Sequence, residues 1–139
     1  MSFKEQKKIM LSKLGKVDRS DKGSIDGRIS PLVNLINSKK NYYTTSSCSG
    51  RIVLLKTIRR KKPHNFIFRT HNKISSKEIK KQLSVKKKSK EVWFKQEPCI
   101  LHVVCKNIKD AQDLVDKAKF AGWKRSGIMA TYLLFRIRF

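Results

Sequence analysis

The stretch YYTTSSCSGR, Tyr42 to Arg51, concentrates hydroxyl side chains, a thiol, a glycine and an arginine in consecutive positions. Short hydroxyls both donate and accept hydrogen bonds, glycine lets a ligand approach the backbone closely, and the planar arginine fork suits a carboxylate or phosphate. That is the chemistry of an anion- or amino-acid-binding loop. An edge strand with a solvated polar face accounts for the same composition, and on composition alone both readings stay open.

Three histidines, His64, His71 and His102, supply groups able to exchange protons near neutral pH. His71 falls just past a strand-like segment, where sites concentrate, whereas His102 lies inside one and is equally well read as a core imidazole. Asp18, Asp21 and Asp26 crowd into the polar segment VDRSDKGSIDG of an otherwise basic chain. They are read as turn caps, as ligands for an amine, or as proton acceptors. Cys48, Cys99 and Cys105 have no paired CxxC spacing, so neither a zinc site nor a disulfide framework is expected. Glycine spacing matches neither GxGxxG nor the P-loop, which excludes the usual dinucleotide and nucleotide-phosphate cradles.

The formal net charge is +24, from 34 Lys and Arg against 10 Asp and Glu. A field of that sign attracts polyanions, nucleic acid first. No apolar run nears the roughly 20 residues of a spanning helix, and MSFKEQKKIM lacks a secretory signal. A cytoplasmic protein with reduced thiols is expected, with no membrane partner. At 139 residues the chain is expected to be a single domain, residues 1–139.

The elements that must carry these residues follow from periodicity and punctuation. Helices are predicted over 3–15, from the Ser30 cap and Pro31 to near Ser38, from the Ser75/Glu78 capping box, and over 107–121 with Gly122 as its stop. Strands are predicted at YYTTSS, RIVLLKTI, Phe66 to Thr70, Val92 to Lys95, Ile100 to Cys105, and as one strand across SGIMATYLLFRIRF. Pro98 separates two of them, since proline cannot donate to a sheet ladder. Cys99, Leu101, Val103 and Cys105 share one parity, which predicts buried cysteines. The order implies an α+β fold, with a mixed or mainly antiparallel sheet and helices packed on it. The basic runs RRKK and VKKKSK lie near Phe66, Phe68, Trp93 and Phe94, a pairing that serves RNA if the rings are exposed and a core if they are not.

DRSDKGSID, YYTTSSCSGRI, NFIFRTH, EPCILHVVC and AQDLVDKAKFAGWKRSGI, in that order, resemble the successive signature blocks of the tRNA wybutosine-synthesizing protein 3 family. The resemblance covers roughly residues 15 to 129. It implies the family's own non-Rossmann α+β fold, and an S-adenosyl-L-methionine-dependent methyltransferase acting on the N-4 ring nitrogen of a wyosine-type base (7-aminocarboxypropyl-demethylwyosine) in the anticodon arm of tRNA(Phe). It implies cofactor or substrate binding by Ser46, Ser47, Ser49 and Arg51, a pocket wall at Ser126 and Gly127, and Asp26 or His71 as proton acceptor, with no metal. An archaeal source is expected for so short and basic a version. The family usually has tryptophan where this chain has Phe66. A non-enzymatic RNA-binding protein is the competing expectation from charge alone.

Overall fold

A computed structural model of the chain describes residues 1–14, 26–56, 65–85, 91–130 and 135–138. Asp18, Asp21, Gly15, the RRKK connection with His64, and residues 86–90 lie outside the described residues. The chain forms two compact units: Met1–Ser49 with Cys99–Phe139, and Gly50–Pro98. The unit boundaries fall at Gly50, whose φ of 96° suits a residue without a Cβ, and at Pro98.

The first unit carries α1 (Phe3–Lys13), α2 (Ser30–Ser38), β1 (Tyr42–Cys48), β5 (Ile100–Cys105), α4 (Ile108–Phe120), β6 (Gly127–Ala130) and β7 (Phe135–Arg138). Its four strands form one sheet in the order β1-β5-β7-β6, every pair antiparallel. The second unit carries β2 (Arg51–Leu55), β3 (Phe66–Thr70), α3 (Ser76–Val85) and β4 (Trp93–Glu97), with an antiparallel sheet ordered β3-β2-β4. This is the expected α+β class with antiparallel sheets and helices packed on them.

The core of the first unit follows from strand parity. Leu101, Val103 and Cys105 point to one face of β5, where they meet Ile29, Val33 and Ile36 of α2 and its approach, and Ala111 and Val115 of α4. Each such aliphatic burial contributes roughly 1.5–3 kcal/mol before entropy is counted. On the opposite face Tyr43 pairs with Val104, and Phe3 of α1 sets its ring 5.3 Å from that of Tyr43. α1 opens on a capping box made by Ser2 and Glu5; ahead of α3 the Glu78 amide donates to the Ser75 hydroxyl at 3.2 Å, half of the box its sequence predicts. α4 ends as its sequence predicts: the amides of Gly122 and Trp123 bond Lys119 and Ala118, and Gly122 has φ of 98°.

Two expectations are corrected. Ser30 is the first residue of α2 rather than its cap; Ile29 takes the cap position, and the Ser30 hydroxyl donates back to the Asp26 carbonyl. The last segment is an antiparallel hairpin, β6 and β7, not one strand. Its alternation of apolar residues runs through both arms, and TYLL, which lies outside the described residues, carries none of the Gly, Pro, Asn and Asp that would signal a break in the sequence. Among the described residues no helix is long and apolar enough to cross a membrane.

Burial, aided by the charge of Asp110, pushes the Cys105 thiol from 9.0 up to about 12. Unfolding releases that thiol to its ordinary value, so its contribution is fully present below about pH 9 and is lost as pH rises to about 12. Urea unfolding should therefore show Cys105→Val losing stability less steeply than the wild type across that window.

Candidate functional site

Asp26 is 7% exposed and ties two distant segments together. Its Oδ2 accepts from the Ser49 amide at 3.1 Å and from the Ser49 hydroxyl, and its Oδ1 accepts from the Arg28 amide at 3.2 Å. Its own carbonyl accepts from the Ile29 and Ser30 amides, which starts α2. The carboxylate is thus engaged on both oxygens by groups that fix the end of β1. This is turn capping, one of the three readings the sequence left open, together with a hold on the end of β1 that the sequence did not suggest.

The hydroxyls of β1 are divided by a bulge between Thr44 and Ser46. Thr44 pairs with Val103 and faces the core, where it is 1% exposed; its amide donates to Asn37 Oδ1 at 2.8 Å, and its hydroxyl also bonds the Asn37 side chain. After the bulge Ser46 pairs with His102 and Ser47 with Leu101. Ser46 therefore shares the face of His102 and α1, and Ser47 the face of α2 and α4. Among the described residues neither hydroxyl makes a side-chain hydrogen bond, and Ser46 is exposed. In the turn after α4, the buried Ser126 hydroxyl donates to the Trp123 carbonyl, and Gly127 opens β6 opposite Arg138.

In the second unit, Arg51 stands directly across from Glu97 in the β2–β4 register, and its Nε donates to Glu97 Oε2 at 2.6 Å. Glu97 is 8% exposed, so a buried carboxylate holds the guanidinium by one corner. The Arg51 guanidinium lies 5.4 Å from the centroid of Phe66, and that of Arg69 lies 5.7 Å from the same ring. Such contacts favour a cation over an aromatic face. Among the described residues the Arg51 Nη groups make no hydrogen bond. Phe66 keeps an aromatic face at the position where a tryptophan was expected. His71, just past β3, has Nδ1 2.9 Å from the Gly50 carbonyl. A carbonyl only accepts, so Nδ1–H is the donor in this contact.

Within the first unit the structure brings Asp26 and Ser49 together and sets Ser46 and Ser47 on opposite faces. Ser126 and Gly127 form their own turn, and within the second unit Arg51 and His71 flank Gly50 in sequence and in contact respectively. Glu97 was missed as a partner for Arg51: the two are 46 residues apart, and only strand register joins them. Its signal was an acid directly before Pro98 in a basic region. Asn37 was missed too. A cleft of about 450 Å3 between α2 and α4, lined by residues such as Leu32, Leu35, Leu114 and Trp123, contains none of the predicted site residues. Burial raises the Cys99 thiol, with the charges of Cys48 and Asp26 adding, which agrees with a packed cysteine.

With both sheets antiparallel, the chain is an α+β protein of non-Rossmann type. A family model described as Methyltransferase TYW3 matches residues 5–137, and the chain belongs to that family. It is 42% identical over 120 residues to the tRNA wybutosine-synthesizing protein 3 homolog of Danio rerio, covering 83% of this chain and 47% of that one. It is 37% identical over 129 residues to a Thermococcus sibiricus protein named tRNA(Phe) 7-((3-amino-3-carboxypropyl)-4-demethylwyosine(37)-N(4))-methyltransferase, covering 91% of this chain and 64% of that one. A solved Pyrococcus horikoshii structure superposes with a TM-score of 0.85 at 33% identity, covering 99% of this chain and 71% of that one. The chain spans about half the length of the vertebrate relatives it matches.

Removing Glu97 leaves the Arg51 charge without its buried partner. Glu97→Ala should lower the unfolding free energy by about 3 kcal/mol, the lower end for a broken buried pair because Arg51 keeps some solvent. Denaturant unfolding of the variant measures it.

Proposed function

We propose that the chain is an S-adenosyl-L-methionine-dependent methyltransferase acting on the N-4 ring nitrogen of 7-aminocarboxypropyl-demethylwyosine, beside the anticodon of tRNA(Phe). The observation that carries this reading is the family match over residues 5–137, which contains all eight proposed site residues. In this reading residues 1–139 serve as one functional domain, since that match spans both units. It also implies a cytoplasmic protein with no resident metal.

The donor set fits the proposed methyl donor. Arg51 keeps its Nη groups for a carboxylate or phosphate, while Glu97 and Phe66 fix where the fork sits. Ser46 and Ser47 offer hydroxyls on the two faces of β1, so one ligand reaches both only around the end of that strand. Ser49 and Ser126 donate their protons to Asp26 and the Trp123 carbonyl, and they shape the backbone while their oxygens still accept. The Ser126–Gly127 turn walls the pocket in this reading.

S-adenosyl-L-methionine, when bound, supplies a methyl on a positively charged sulfur; that carbon–sulfur bond breaks as the nitrogen–carbon bond forms. Alignment of donor and acceptor supplies much of the rate in such a displacement. The ring nitrogen must also give up its proton. Asp26 accepts three hydrogen bonds that hold Arg28 and Ser49, so its role is positioning. His71 takes the proton on Nε2, its ring held by the Nδ1–H bond to Gly50.

The test is transfer of labelled methyl from S-adenosyl-L-methionine to tRNA carrying the unmethylated tricyclic base. The wild type should transfer, and His71→Ala should lower the rate about 100-fold or more, as expected for loss of a general base. Arg51→Ala should weaken cofactor binding in an equilibrium titration. Absence of transfer by folded wild type sinks the reading in favour of RNA binding alone; full rate in folded His71→Ala sinks the assignment of that base.

A further inference from the structure

The sheet of the second unit displays rings and cations that the proposed chemistry does not use. β4 is an edge strand in the order β3-β2-β4, and its first four residues are all exposed. Trp93 is 44% exposed, a large aromatic area left in water. By register Trp93 shares a row with Leu55 and Phe66, and Lys95 shares the next row with Val53 and Arg69. Residues directly paired across strands project to the same face, so Trp93, Lys95, Arg69, Phe66 and Arg51 all belong to one side of the sheet. Phe94 belongs to the other side.

The charges on that side are available. Lys95 and Arg69 are exposed, and among the described residues neither has a carboxylate partner. The Arg69 and Arg51 guanidinium groups converge on Phe66, which orients them, and Val53 in the row between is fully buried. An exposed indole with one cation two residues along its strand and another across the sheet offers a ring face for a base and charges for phosphates. A folded protein partner would meet a cationic rim around a single ring, whereas an unpaired nucleotide offers a π-face for the ring and an anion for each cation. The chain's charge of +24 favours the polyanion.

We infer that this face of the β3-β2-β4 sheet holds unpaired nucleotides of the RNA substrate, one base stacking on Trp93 and the flanking phosphates contacting Lys95 and Arg69. The inference rests on the tRNA reading above and adds to it a surface for single-stranded RNA.

Binding of a labelled single-stranded oligoribonucleotide to the full chain tests it. Trp93→Ala should weaken binding about 5- to 100-fold, and Trp93→Phe should retain most of it, because stacking needs a ring rather than an indole. Lys95→Ala and Arg69→Ala should each flatten the dependence of log affinity on log salt by about 0.7, the value for one contact to a single strand. In a Trp123→Phe background the remaining tryptophan is Trp93, and its fluorescence should be quenched by the oligonucleotide. Unchanged affinity in Trp93→Ala, or no quenching in the Trp123→Phe protein, overturns the inference. Methyl transfer measured beside these titrations separates the two claims. RNA binding that needs Trp93 in a protein without transfer sinks the enzyme reading and supports this surface; normal transfer with binding indifferent to Trp93 sinks this surface alone.

Discussion

The carboxylate of Asp26 is the constraint on which the candidate site in the first unit depends. A buried charge is tolerated only when its lone pairs are matched, and here backbone amides and a hydroxyl match them. The same residue opens α2 with its carbonyl and stops β1 with its side chain. One group therefore sets both where the helix begins and where the serine-rich strand ends, just before the backbone swings through a positive φ at Gly50. Losing it would release two elements at once, which is why its role is best understood as mechanical.

Arg51 shows the same economy in the second unit. An isolated arginine on a strand would sample many rotamers and lose that freedom on binding an anion. Glu97 on one corner and Phe66 beneath remove most of that freedom in advance. What remains is a fork with its outer donors available. Phenylalanine, where the resemblance led to an expected tryptophan, serves this arrangement because a cation needs only the ring's face.

Legibility in the sequence followed the range of the interactions. α4 was readable end to end because its cap at Asn107, its apolar period and its stop at Gly122 are all local signals. The burial of Leu101, Val103 and Cys105 followed from parity alone. The Arg51–Glu97 pair and the clamp of Asp26 on Ser49 were invisible because they join segments 46 and 23 residues apart, and the Asn37–Thr44 bonds because they form only once α2 packs on β1. The closing hairpin was hidden for a different reason: no Gly, Pro, Asn or Asp lies between its two arms in the sequence, so the apolar alternation carried no stop signal. Exposure of Trp93 was also beyond reach, since composition cannot say which edge of a sheet a ring occupies.

The bulge in β1 acts as a phase shifter. Upstream, the strand's parity is set by Tyr43 against Phe3 and by Thr44 against the core; downstream it restarts one residue late. Were Thr45 paired into a regular ladder instead of bulged, Ser46 would turn inward with Thr44, and Ser47 would take its place outside. The polar stretch therefore carries two independent alternation frames, and a deletion at Thr45 would remove the bulge while leaving Ser46 and Ser47 on the faces they now occupy. A gap placed there when related chains are aligned would be a structural event, not a bookkeeping one.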